Sequence, residues 1–192
     1  MPAPTYTAFP ANKNYQVQAK NAFNEVRLLL GKANSALVKL KQYQPGQTLE
    51  TNDQREADRF VRWFAPFTPA NINNVRDNVI YPMVRQLETL PVTIQCGGPL
   101  CQPNWYAYVT APGGGLGAGI TIFLCNKFFT APQYGKDSQV GTLLHEISHL
   151  VGTTHDHQYG QDNCLTLATT NPAQAMDNAD NYEYYLESFH YT

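Results

Sequence analysis

Apolar residues follow two rhythms along this chain, and the rhythm changes at Pro91. Upstream, Ala19, Phe23, Val26, Leu30, Ala33, Leu37 and Leu40 alternate steps of four and three, which keeps one stripe on one face of a long amphipathic helix. Pro45-Gly46 is expected to break it. Thr51, followed three residues later by Gln54, resembles a capping box opening a second helix through Phe60, Val61 and Phe64. Thr68-Pro69 starts a third, whose apolar face is Ile72, Val75, Val79, Met83 and Leu87, with a kink expected at Pro82. These helices read as scaffold and carry no chemistry of their own.

Downstream of Pro91 the apolar runs become short, β-branched or aromatic, and bounded by Gly and Pro: Val92 to Cys96, Trp105 to Thr110, and Ile120 to Cys125. They read as strands. The glycine-rich stretch 112–119 between the last two fits no phosphate-binding pattern and reads as a hairpin connection. Helical spacing resumes after Asp137 with Val140, Leu143, Leu144, Ile147, Leu150 and Val151, and Gly152 is expected to end that helix. The 192 residues are therefore expected to form one α+β domain, mainly helical over 1–90, with the sheet and the remaining helices in 91–192.

Composition narrows the function classes. Thirteen Lys plus Arg against fifteen Asp plus Glu give a net charge of -2 with no basic run, so nucleic acid is not expected as a partner. No apolar run approaches the roughly 18 residues needed to cross a bilayer, so no membrane association is expected either. Hydrophobic residues at 43% with 12 Tyr and 9 Phe exclude a disordered chain. Cys96, Cys101, Cys125 and Cys164 are an even set without paired CxxC spacing, which points to two disulfides in a secreted, mature segment; with all four reduced, the chain would belong in the cytosol.

The chemistry concentrates in one place. His145-Glu146-Ile147-Ser148-His149 is an HExxH sequence on a predicted helix, so both imidazoles lie on one face a turn apart, spaced to hold one zinc ion. Glu146 lies about 100 degrees around the helix from His145, placed to take a proton from zinc-bound water as a general base. Four of the five histidines, His145, His149, His155 and His157, fall within thirteen residues, which chance explains poorly. A purely structural zinc site would close with four protein ligands and have no use for Glu146. Two candidates compete for the third ligand position. Residues 145–155 match the metzincin form H-E-x-x-H-x-x-G-x-x-H, with Gly152 at the turn, His155 as ligand and Met176 as a Met-turn. Asp156 next door offers a carboxylate instead. Spacing does not separate the two neighbours.

Beyond the motif, the sequence resembles the aspzincins, the deuterolysin and peptidyl-Lys metalloendopeptidase family. The resemblance rests on HExxH followed by a Gly-Thr turn, Asp156 and Tyr159-Gly160, on Leu167-Ala168, Asn171-Pro172, Ala175 and Asn178 to Tyr185, and on Ile122 to Cys125 with Ala131-Pro132. It covers roughly the second half of the chain. It implies a zincin-like metalloprotease fold with an N-terminal helical layer, a small twisted sheet and the helix bearing the zinc ligands beneath it. It further implies one catalytic Zn2+ on His145, His149 and Asp156, Glu146 as base, and Tyr159 as donor to the oxyanion. In lysine-specific members an Asp and a Glu three residues on receive the side chain after the cleaved bond, and Asp180 and Glu183 stand there. Acids at i and i+3 converge on one point that a Lys ammonium can meet, although the series Asp177, Asp180, Glu183, Glu187 also reads as a solvated helix face. The resemblance also implies a Cys101–Cys125 disulfide, leaving Cys96 for Cys164. Tyr182, Tyr184, Tyr185 and Phe189 are expected to pack the last helix against the zinc helix.

The expected activity is that of a monomeric, zinc-dependent endopeptidase, cutting protein or peptide substrates on the amino side of Lys, with the substrate along the edge strand of the sheet. A metzincin-type enzyme with His155 on the metal, and a non-catalytic, zinc-stabilised binding or toxin-like module, are the alternatives.

Overall fold

In a computed structural model, residues 2–44, 46–64, 66–110 and 119–190 are described. The chain runs β1 (Thr5–Thr7), α1 (Tyr15–Leu40), α2 (Thr51–Trp63), α3 (Pro69–Val75), α4 (Tyr81–Thr89), β2 (Val92–Cys96), β3 (Ala107–Thr110), β4 (Ile120–Leu124), α5 (Gln139–Gly152), α6 (Gln161–Thr170), α7 (Pro172–Ala175) and α8 (Ala179–Glu187). Strand order is β1-β2-β4-β3; β3 alone is antiparallel, and it forms one edge. The expected α+β layout is thus observed. The expected hairpin connection at 112–119, except Gly119, and the Pro45 half of the expected break lie outside the described residues.

The apolar stripe of α1 is buried throughout, and so are Ile72, Val75, Val79, Met83 and Leu87. Between α3 and α4 the helix widens into a π-turn over Arg76–Ile80, where the Tyr81 N–H reaches the Arg76 carbonyl. Pro82 has no N–H to give the preceding turn, and the wider turn stands where the kink was expected. In β2 and β4, Val92 and Ile94 lie in register with Ile120 and Ile122; these residues and Leu124 are buried, the period of two expected of a sheet with one face against helices. Packed against α1, α4, α8 and the inner sheet, α5 is buried on nearly every side.

Several local expectations are corrected. Thr51 is not a cap: Glu50 precedes the helix, and no side chain caps its first turn. Val61 faces solvent, whereas Phe60 and Phe64 are buried. α5 ends at Gly152 as expected, but the left-handed residue is Thr153 just after it, with φ 55°. Gly152 is needed for a different reason, since a Cβ there would lie 2.5 Å from Val79 Cγ1. The Cys101–Cys125 disulfide forms, but Cys96 and Cys164 are free thiols. Their elements pack on different neighbours: α6 on α2, α7 and α8, and β2 between β1 and β4. α8 packs on α5 as expected, and its rings also secure it to the end of α2, with Tyr182 and Tyr185 on Phe64 and Tyr184 stacked on Trp63.

Candidate active site

The side chains of His145, Glu146 and His149 project from α5 into a cleft of about 850 Å³ whose opposite wall is the segment from Asn104 through edge strand β3. Ser138 caps α5 by accepting the Gly141 N–H at 2.9 Å. At the other end, Thr153 turns the chain so that the Thr154 carbonyl comes back to His149 Nδ1 at 2.8 Å. The Ser148 hydroxyl, 2.7 Å from Thr154 Oγ1, secures that turn.

Beyond the turn the chain is extended. His155 forms a parallel bridge with Asn178: its N–H donates to the Asp177 carbonyl at 2.7 Å, and the Ala179 N–H donates to its carbonyl at 2.9 Å. Side chains alternate along extended backbone, so 155 and 157 share one face and 156 takes the other. Asp156 therefore reaches the imidazoles: its Oδ1 lies 3.2 Å from His145 Nε2 and 3.3 Å from His149 Nε2. His155 is 70% exposed and bonded to Asp177, so the alternative that placed it with the two imidazoles is not what the fold builds. Met176, the expected Met-turn, has its sulfur within 3.6 Å of Asn74 Nδ2.

The donor set fits a metal ion. A carbonyl accepts only from a protonated nitrogen, so His149 carries its proton on Nδ1 and turns the Nε2 lone pair to the cleft. His145 Nδ1 faces Asp180 Oδ1 at 2.7 Å, which assigns the same tautomer. The two Nε2 atoms then oppose each other at 3.0 Å beside the Asp156 carboxylate, three donor atoms that one cation can share once it displaces any proton held between them. Ligands 2.0–2.1 Å from a tetrahedral zinc lie roughly 3.3 Å apart, close to these separations. His145, His149 and Asp156 could thus hold one divalent cation.

The electrostatics set the protons that a cation must displace. Burial works against a charged His145, but the carboxylates of Asp156 and Asp180 outweigh it and hold its pKa well above the ordinary histidine value. Burial would raise Asp156, yet the two imidazoles hold it below the usual carboxylate range. Glu146 is buried, and that burial lifts its proton affinity against the pull of His145 and His149. Tyr159 lies at the rim with its ring centroid 6.3 Å from that of His145; partial burial and a hydrogen bond to Asp156 keep its phenol protonated.

At the base of the cleft, Asp180 and Glu183 are buried, as is Glu187 beyond them, which overturns the reading of a solvated acidic face; of that series only Asp177 is half-buried. Gly141 makes room for them, since a Cβ would collide with Glu187 Oε1 and lie 2.6 Å from Glu183 Oε1. Glu183 Oε2 lies 3.6 Å from His145 Nδ1. Sequence reasoning missed Asp137, which lines the cleft and accepts the Tyr184 hydroxyl, and the support given by Thr154 and Glu187. No motif marks these residues, and only the fold brings them to the site.

The family model of lysine-specific metallo-endopeptidases matches residues 49–187, most of the chain. The chain belongs to the aspzincin family. This aspzincin is 36% identical over 132 residues to the peptidyl-Lys metalloendopeptidase of Pleurotus ostreatus, covering 68% of this chain and 73% of that one. It is 34% identical over 139 residues to an extracellular protease of Aeromonas hydrophila, where it spans 71% of its own length but only 37% of the relative's. Its fold matches the solved zinc peptidase from Grifola frondosa with a TM-score of 0.59 and 29% identity, over 87% of this chain and 94% of that chain. Among the described residues, no helix is long and apolar enough to cross a membrane.

Proposed function

We propose that this aspzincin is a zinc-dependent endopeptidase that cuts peptide bonds on the amino side of Lys, with one catalytic ion on His145, His149 and Asp156. The observation that carries the reading is the convergence of three lone-pair donors in a cleft that also holds a buried carboxylate, Glu146. Zinc held there supplies a Lewis acid that polarises a carbonyl and acidifies water.

The chain's own residues do the rest. A substrate strand adds to the free edge of β3, which holds the scissile bond across the cleft. Glu146 takes the proton of the attacking water and returns it to the leaving amine, a task its raised proton affinity suits. Tyr159, kept protonated, donates to the oxyanion as negative charge develops. Glu183 receives the Lys ammonium, and Asp180 adds its charge while orienting His145. Burial and the Glu187 carboxylate hold Glu183 well above the ordinary value, so an arriving ammonium offsets an unfavourable charge. The likeness to an extracellular protease and to a peptidyl-Lys metalloendopeptidase, together with the Cys101–Cys125 disulfide, favours an enzyme acting on extracellular protein or peptide substrates.

Mass spectrometry of a denatured protein digested by the zinc-loaded enzyme tests this. New peptides should begin with Lys, and Glu146→Gln should lower kcat by about 10²–10⁴-fold with zinc retained. Undiminished turnover in that variant, or cleavage indifferent to Lys, overturns the reading.

A further inference from the structure

We propose that His155, His157 and Asp177 form a second divalent-cation site, one that takes Zn2+ and ties the loop bearing Asp156 to the segment leading into Asp180. The three side chains offer donor atoms that all lie within 4.8 Å of one another. His157 Nε2 is 2.7 Å from Asp177 Oδ2, and His155 Nδ1 is 3.0 Å from the same oxygen. None of the three lines the cleft.

The backbone explains why they meet. Alternation along the extended segment sends His155 and His157 to the face opposite Asp156, and the bridge to Asn178 sets Asp177 beside them. Both segments are already fixed. The buried Asn178 carboxamide accepts the N–H groups of His157 and Gln158 at 2.8 and 2.9 Å and donates to the Gln158 carbonyl at 3.0 Å. Ligands held on two pinned segments lose little freedom when a cation binds.

The chemistry selects the ion. Two imidazoles and one carboxylate suit zinc and its late transition-metal neighbours, whereas Mg2+ and Ca2+ prefer all-oxygen shells. His155 is exposed and Asp177 half-buried, which leaves room for water to complete the coordination. A cation here adds a third tether to the two backbone hydrogen bonds that already join residue 155 to 177 and 179. It stabilises the loop that positions Asp156 without entering the reaction.

Calorimetric titration of protein already loaded with one zinc equivalent, with elemental analysis after desalting at defined free zinc, provides the test. The parent should take up a second equivalent, and its melting temperature should rise with zinc beyond the first. Asp177→Asn and the His155→Ala/His157→Ala double variant should weaken the second equivalent by about a hundredfold or more, since loss of an outer partner alone costs 10–100-fold. Both should keep the first equivalent and the turnover measured at one equivalent, which also shows that they fold. A single equivalent in the parent at every zinc concentration, or a second that persists in the double variant, overturns the proposal. Failure of the catalytic assignment would show separately, as retention of the first equivalent in His149→Ala.

Discussion

His145 Nδ1 donates to Asp180 Oδ1 across 2.7 Å, while the other oxygen of Asp180 accepts the Gly160 N–H, also at 2.7 Å. One carboxylate thus joins α5, the Tyr159-Gly160 turn and α8. Its first duty is to fix the ring that presents a lone pair to the cleft, and Glu183 is the freer of the two acids at the cleft base.

That division predicts different phenotypes for two isosteric changes. Asp180→Asn should weaken zinc binding by about 10–100-fold, the usual loss when a partner behind a ligand is removed. Glu183→Gln should leave zinc affinity near the parent value and raise KM for Lys peptides. Chelator competition and steady-state kinetics separate the two, and equal zinc affinity in Asp180→Asn would remove the orienting role.

The cysteines predict a count. One disulfide and two thiols are present, so a denaturing, non-reducing titration should find two reactive groups per chain. In the native state both should react slowly, because burial pushes Cys164 up to about 12 and also raises Cys96. Replacing Cys101 and Cys125 by Ser opens a loop of 24-residue separation and should cost about 3 kcal/mol in denaturant unfolding. Absence of free thiols in the unfolded chain would restore a second bridge.

The parts legible from sequence are those whose signal is local. The apolar stripe repeats along the whole of α1, and the fold buries every residue of it. By contrast, β1 is three residues long, and only its pairing with Thr93–Gln95 makes it a strand. Helical spacing is enough to bring His145 and His149 together. It does not choose between His155 and Asp156, because that choice depends on extended backbone and a bridge to Asn178, far along the chain. The acids of α8 are ambiguous in the sequence for a related reason: spacing places them on one face, but only the packing of α5 on α8 decides that the face is buried.

Glu187 gives a pH dependence of stability. Burial pushes its carboxyl up to about 7, against the two hydrogen bonds it accepts from Ser138. The folded state therefore holds this proton more tightly than the unfolded chain, whose value is near 4.5. Between those limits the unfolded state binds fewer protons, so stability should fall as pH rises through the window. Urea unfolding of parent and Glu187→Gln at saturating zinc isolates the contribution, and the difference between them should vary across that interval. A constant difference from pH 4.5 to 7 would count against it.

Gly152 couples the helical layer to the site. An alanine Cβ there would lie 2.5 Å from Val79 Cγ1 and 3.2 Å from the Val79 Cα, and a backbone atom in the π-turn cannot rotate away as a side chain can. Gly152→Ala should therefore destabilise by about 1–3 kcal/mol, the usual cost of overpacking. The displaced helix end carries Thr153 and Thr154, so the carbonyl that fixes His149 should shift with it and zinc affinity should fall in parallel. Adding Val79→Ala removes the methyl groups but not the backbone contact, so the double variant should recover part of the loss and show a favourable coupling in a double-mutant cycle. Strict additivity of the two changes would mean that the close approach of α5 to the π-turn does not constrain the site.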